Sequence, residues 1–296
     1  MTPDHSVERI ASIGLEHHRE TILRNSLRNS EHVTQTIREI SPIGGRALIA
    51  SAGPSFDIEQ LRWVADDITL IITDSLYLRC LRAGIRPDWV LTLDPHPTRM
   101  ARLFGAPPDG DDYFERTRPD QGFEGFDGEL TPVPLVIATT APANVVEITS
   151  AWPRWWFAPL VDEPVRGSLT RIMCAATGCP ALTTGGTVGT AAWAFAHQIL
   201  QAEDIAVVGM DFGYRVGTPL ENTQEWPMVR DPAAYSVQRG AWGEAIASPT
   251  YAFYLQNFLD LLTANGASIT NCTGGGLLCG PSVDCVDLET WLKSSS

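Results

Sequence analysis

Apolar residues fall into short continuous runs: Ala47-Leu48-Ile49-Ala50, Leu70-Ile71-Ile72, Leu135-Val136-Ile137-Ala138 and Ile205-Ala206-Val207-Val208. Between several of these runs the pattern changes to a helical spacing. Runs without polar alternation suit strands covered on both faces, which is the signature of a parallel sheet. The pattern predicts a strand at 47–51, a helix at 57–65, a strand at 68–73, a helix at 75–83 and a strand at 88–93. This β-α-β-α-β order implies right-handed crossovers in an α/β fold. Further strands are expected at 134–139 and 205–209, with an Ala-rich helix ending near Gln201 between them. A helix at 250–264 and a last strand closing on Thr273-Gly274-Gly275-Gly276 complete the reading.

Three stretches depart from that texture. Residues 6–40 are polar with an intermittent apolar stripe, Val7, Ile10, Ile13, Ile22, Leu23 and Leu27. They predict a helical lead-in, assigned to 1–43, that packs on the core or on a partner subunit of a homo-oligomer. The main domain is expected over 44–292, with insertions near 105–134 and 215–248 that read as loops or lids. Trp152, Trp155, Trp156 and Phe157 form an aromatic cluster, read as a core wall in preference to a ring-stacking surface.

Charge narrows the choice of partner. With 35 acidic against 21 basic residues and a net charge of -14, the surface repels nucleic acid and anionic membrane. Lys293 is the single lysine, so the Lys-dependent phosphate loop of P-loop enzymes is excluded and any cationic contact to phosphate falls to arginine. No stretch is long and apolar enough to span a membrane, and the polar opening Met1-Thr2-Pro3-Asp4-His5 lacks a signal-peptide core, so a cytoplasmic location is expected. Cys80, Cys174, Cys179, Cys272, Cys279 and Cys285 lack the paired spacing of a zinc site and read as buried thiols.

The candidate chemistry gathers where strands end. Strand 47–51 runs into Gly53-Pro54-Ser55, a turn in which glycine permits close approach, proline presets φ and serine can cap a following helix. Free amides at such a turn would favour a phosphate. A second turn, Gly185-Gly186-Thr187, precedes the Ala-rich helix. Asp74, Asp94 and Asp211 each follow a predicted strand, at the edge where ligands collect in open α/β sheets. His96 stands in Asp94-Pro95-His96-Pro97 and offers an imidazole, the side chain that changes charge nearest neutral pH.

The ordered set Ala52-Gly53-Pro54-Ser55, Asp74-Ser75, Leu81-Arg82-Ala83-Gly84-Ile85-Arg86-Pro87-Asp88, Leu93-Asp94, Gly185-Gly186-Thr187-Val188, Gly209-Met210-Asp211-Phe212-Gly213-Tyr214 and Ile269-Thr270-Asn271-Cys272-Thr273-Gly274-Gly275-Gly276 resembles one family. It comprises the motility accessory factor (Maf) glycosyltransferase-like proteins and the 6-hydroxymethylpterin diphosphokinase (MptE-like) proteins that share their central domain. The resemblance spans about residues 40–280. It implies a Rossmann-like, mainly parallel sheet similar to that of bacterial sialyltransferases, in which the Gly-Pro-Ser turn sits at a CMP-sugar donor. This chain has Thr187 where Maf proteins have serine, and Phe212-Gly213 where they have Leu-Ala before the tyrosine. The resemblance does not extend to the large flanking domains of Maf proteins.

The resemblance implies two readings, and a third, from a different class, stands beside them. The favoured one is transfer of a CMP-activated nonulosonic sugar without a cofactor. Its candidate catalytic residues are Asp94 or His96 as base, with Asp211; Gly53, Pro54, Ser55, Asp74, Ser75, Gly185, Gly186, Thr187, Asn271 and Thr273 would hold the nucleotide and its phosphate. The alternative is diphosphoryl transfer from ATP to a pterin alcohol, with Mg2+ held by Asp74, Asp94 and Asp211 and with Arg79, Arg82, Arg86 or Arg99 on the triphosphate. The third is a non-catalytic nucleotide-binding scaffold in a surface-polysaccharide pathway.

Overall fold

The computed structural model describes residues 18–106, 126, 128–223, 226 and 230–294. Among them a nine-stranded sheet forms the frame, built from β1 (Arg46–Ala50), β2 (Ile68–Thr73), β3 (Trp89–Thr92), β4 (Leu135–Ala138), β5 (Arg154–Leu160), β6 (Ala181–Thr183), β7 (Asp204–Val208), and two later strands, Ile269–Asn271 and Val283–Cys285. Every pairing in this sheet is parallel. The expected Rossmann-like α/β fold is present. The chain lays down β1 to β6 side by side, then returns to place β7 against the free edge of β1. The direction of winding therefore reverses between β1 and β7, and a crevice opens there beyond the strand ends.

The continuous apolar runs serve two layers at once. Leu48, Ala50, Leu70, Ile72, Val90 and Leu135 point into one core, and their neighbours Ala47, Ile49, Ile71, Leu91 and Val136 into the other. This follows from the two-residue side-chain period of a strand. The first core is covered by α1 (18–29), α2 (Tyr77–Ala83), α3 (Pro97–Leu103), α4 (Ala143–Ile148) and α5 (Leu169–Thr177). The second is covered by α6 (Val188–Ala194), which continues as a π turn over Phe195–Ile199, and by α7 (Pro249–Ala264). A final α8 (Leu288–Lys293) returns to the first face, where Arg46 binds Asp204 at 3.0 Å and lies 3.9 Å over the Trp291 ring.

Some elements differ from the sequence expectation. The helix expected at 57–65 is a 3-10 turn, Ile58–Trp63, opened by an Asp57 capping box. Trp155, Trp156 and Phe157 of the aromatic cluster lie on strand β5, with Trp156 and Phe157 fully buried on opposite faces, and Trp152 is buried in the turn before it, so the cluster is core wall. Residues 215–248 carry structure that the loop reading missed: β8 (Tyr214–Arg215), β9 (Ser236–Gly240) and β10 (Gly243–Ala247) form an antiparallel sheet. The two sheet strands after α7 are accordingly β11 (Ile269–Asn271) and β12 (Val283–Cys285). β9 is exposed from Ser236 to Arg239 with Val237 as its one large apolar residue, and β8 is two residues long, so neither gives a periodic signal. Most of the 105–134 insertion and residues 1–17 of the lead-in lie outside the described residues. No helix among the described residues is long and apolar enough to cross a membrane. All six thiols are free, three of them buried and Cys174, Cys279 and Cys285 only half-buried.

Helix α1 is tied to the outer end of β4 by polar side chains. Asn25 Nδ2 donates to the Thr140 carbonyl at 2.8 Å, and Asn29 Nδ2 donates to the Thr139 and Ala141 carbonyls at 2.8 and 2.7 Å. Ser26 pairs with the Thr139 hydroxyl at 3.1 Å. These groups are buried, so the carbonyls beyond β4 have no water to turn to once a partner is removed. Asn29→Ala is expected to destabilise the protein by about 2 kcal/mol, read as a lower urea midpoint with an unchanged slope.

Candidate functional site

The crevice between β1 and β7 is shaped by backbone crowding. Ser51 N–H donates to the Val208 carbonyl and Gly53 N–H to the Gly209 carbonyl, both at 2.9 Å, so the two chains stay paired past the sheet. Gly209 has φ of 67°, and a Cβ on it would overlap the Ser51 carbonyl. A Cβ on Gly53 would overlap Asp211 Oδ2 and the Gly209 carbonyl. Both positions require glycine for close approach, and Gly209 also for its left-handed backbone.

Asp211 reaches back across this contact. Its Oδ1 accepts from Ser55 Oγ at 2.7 Å and from Ser55 N–H at 3.2 Å. Its Oδ2 is buried without a partner among the described residues. Burial pushes the Asp211 carboxyl up to about 6, against the lowering effect of the Ser55 hydrogen bonds. The arrangement corrects the expected phosphate cradle. Gly53 N–H is taken by Gly209, Pro54 has none, Ser55 N–H is taken by Asp211 and Phe56 N–H by the Gly53 carbonyl at 3.1 Å. The turn holds a carboxylate where a phosphate was expected, and a second anion beside it would be repelled.

Two neighbouring cavities open at this edge. The first, about 150 Å³, lies over the β1–β7 crevice and is lined by Ser51, Gly53, Pro54, Ser75, Asp211 and Phe212, with the start of α6 (Thr187, Val188, Gly189) on one side. The second, about 350 Å³, lies beyond β3, β4 and β5 and is lined by Asp74, Asp94, Thr140, Val161, Gly186 and Tyr254 among others. Arg99, Leu103, Thr187, Val188 and Tyr251 line both, so the cavities share a wall. Thr187 caps α6, its Oγ1 accepting from Thr190 N–H at 3.1 Å. The next two amides, of Val188 and Gly189, have no acceptor within the helix and lie against the first cavity. A Cβ on Gly189 would press on Ser51 Oγ, so glycine there lets α6 seat against the end of β1.

The remaining candidates divide between the cavities and the scaffold. Asp74 is 4% exposed, and its Oδ1 accepts from Ser75 N–H at 2.8 Å. Burial pushes this carboxyl too up to about 6. Asp94 Oδ1 accepts from His96 N–H at 2.8 Å, and its Oδ2 lies 3.7 Å from Arg99. His96 is the N-cap of α3, its Nδ1 accepting from Arg99 N–H at 3.4 Å, and it lines neither cavity. Gly185 and Gly186 shape the turn before α6, where a Cβ would strike Thr190 and the Tyr254 ring. Asn271 and Thr273 are corrected to scaffold: Asn271 Nδ2 donates to the Leu278 carbonyl at 2.6 Å, its Oδ1 accepts from Thr273 N–H at 3.0 Å, and Thr273 Oγ1 accepts from Met210 N–H at 3.3 Å. Both are buried and absent from the lining of both cavities.

The proposed Mg2+ ligands do not meet. Asp211 lines the first cavity, Asp74 and Asp94 the second, and among the described residues no three His, Cys, Asp or Glu side chains form a group that could hold a metal ion. The residues present therefore do not fit that ion as the sequence reading placed it. Of the four arginines named for the triphosphate, Arg99 alone reaches the cavities. Arg79 and Arg82 instead lie over Phe56 and Phe126. Tyr251 and Tyr254 were missed, because one turn of helix separates them and they read as an ordinary apolar stripe.

No family model matches the sequence, and no curated protein sequence does either. Among solved structures, that of the Maf glycosyltransferase from Magnetospirillum magneticum AMB-1 superposes with a TM-score of 0.59 at 16% identity. The match covers 91% of this chain and 38% of that one, so the chain spans about two fifths of that protein's length. At this identity the likeness is one of fold.

Two outcomes are expected from the crevice. Gly53→Ala should destabilise the protein by at least about 3 kcal/mol, since the atoms it would meet include backbone; chemical denaturation measures this. For Asp211, whose folded value near 6 lies above its unfolded value of 3.8, stability is full at pH 3 and lost as the pH rises through 6. Asp211→Asn removes that loss while keeping an acceptor for Ser55. Its stability relative to the parent should rise by about 3 kcal/mol between pH 3 and pH 8, followed by urea unfolding across that range.

Proposed function

We propose that this chain is a nucleotide-dependent glycosyltransferase that uses a CMP-activated nonulosonic acid as donor. The observation that carries the reading is the pair of cavities sharing one wall at the switch point of a parallel sheet, with Arg99 on that wall. Transfer between two substrates needs two adjoining sites. It also needs positive charge or amide donors where the leaving phosphate develops charge.

The first cavity suits the nucleotide. The phosphate belongs toward the first amides of α6 and Arg99, away from Asp211. The nucleoside belongs over the Gly53–Ser55 turn, where Asp211 lines the cavity and offers only acceptors. Hydroxyl and amino groups of a nucleoside are the matching donors. The departing group is then a nucleoside monophosphate whose charge is met by the guanidinium. The fold likeness to a Maf glycosyltransferase supports the same reading.

The test is thermal unfolding with CMP, CDP, ATP and GTP, each with and without Mg2+. A ligand at a hundredfold excess over Kd stabilises by about 2.7 kcal/mol, which for a chain of this size is a shift of roughly 5 °C. CMP is expected to give that shift with or without the metal, and Arg99→Ala to abolish most of it. A shift confined to ATP with Mg2+ would replace the proposal with diphosphoryl transfer. No shift with any nucleotide would overturn nucleotide binding altogether.

A further inference from the structure

The second cavity contains a group that the donor site does not use. Its walls are largely apolar, from Leu93, Pro95, Met100, Pro159 and Val161, and Tyr251 and Tyr254 add two rings. Such a lining with a few converging polar groups is the usual form of a small-molecule site. The polar residues here are Asp74, Asp94, Arg99, Thr140, Thr184 and Thr187, with Thr140 Oγ1 donating to the Leu93 carbonyl at 3.0 Å. Two carboxylates against one guanidinium disfavour an anionic occupant and suit a neutral one carrying hydroxyls.

Asp74 differs from Asp94 in kind. Asp94 is held on the His96 amide and beside Arg99, with its side chain 40% exposed, whereas Asp74 is 4% exposed and still lines the cavity. A buried carboxyl is a costly feature that an apolar residue would avoid, and Asp74, held by the Ser75 amide and the Thr92 hydroxyl, keeps that carboxyl on the cavity wall. We propose that the second cavity holds the acceptor, a neutral glycan or other small alcohol, and that Asp74 takes the proton from the acceptor hydroxyl during transfer.

The inference rests on the glycosyltransferase reading. In the step it describes, the acceptor oxygen bonds to the anomeric carbon of the donor sugar while its proton passes to the Asp74 carboxylate. The bond from that carbon to the phosphate oxygen breaks, and its electron pair leaves with CMP. The proton is later released to solvent. Burial of Asp74, with Asp94 raising and Arg99, the Thr92 hydroxyl and the Ser75 amide lowering, sets its carboxyl near 6. At neutral pH it is ionised, and it is a stronger base than an ordinary carboxylate.

The experiment uses CMP-N-acetylneuraminic acid as donor and nitrophenyl galactoside, glucoside and N-acetylglucosaminide as acceptor probes. The parent protein is expected to form product, with kcat falling below about pH 6. Asp74→Asn should lower kcat at least 100-fold and remove that limb, with the Kd of CMP changed less than 2-fold. Val161→Trp, which fills the second cavity, should raise the acceptor KM at least 10-fold, again with CMP binding intact. Undiminished transfer by Asp74→Asn, or weakened CMP binding by Val161→Trp, would overturn the assignment. So would CMP binding by the parent without product from any probe, whereas failure to bind CMP would overturn the glycosyltransferase reading itself.

Discussion

Contact between the outgoing ends of β1 and β7 sets the geometry of the whole C-terminal edge. The chain can pair these ends beyond the sheet only because Gly53 and Gly209 carry no Cβ, and that pairing brings Ser55 to the Asp211 carboxylate. The crevice, the seat of α6 on Ser51 and the position of the first cavity all follow from how near these two segments run. Phe212, held at a φ of 48°, continues the same turn and stacks against Phe258 of α7. A bulky residue at φ above zero persists only where its surroundings over-determine it, which is consistent with a site held in one shape.

Charge is distributed with the same economy. The chain is strongly acidic, yet among the described residues the two carboxyls that burial raises, Asp74 and Asp211, both stand at the ends of parallel strands and in different cavities. Perturbed carboxyls in clefts are more often functional than those on a surface. The one arginine shared by the two cavities stands between them and is paired loosely with Asp94. Remote from this edge, the Arg46, Asp204 and Trp291 cluster closes the opposite ends of β1 and β7. The fold is thus locked at one end of the central strands and left open, with polar groups in reserve, at the other.

The amino-acid sequence carries some parts of this structure openly and hides others. The parallel sheet was legible because each central strand is apolar on both faces, a pattern that requires a layer above and below. The acids at strand ends were legible for a related reason: an apolar run that stops at an aspartate marks where a strand leaves the core. Short edge elements such as β6, β8 and β12 were not, since three or two residues carry no periodicity.

By itself, then, the sequence determined the fold class, the position of both glycine turns and the three acids that reach the ligand edge, because these depend on local backbone preference and on burial along single strands. Which of those groups face a common space was decided by the tertiary structure alone. Ser55 and Asp211 stand 156 residues apart, so nothing local could reveal that the carboxylate occupies the turn's amides. The same holds for Asp74 and Asp211, similar in sequence context, which strand order places in separate cavities. Local preference acts over a few residues, whereas the sharing of a cavity depends on the order in which strands are laid side by side.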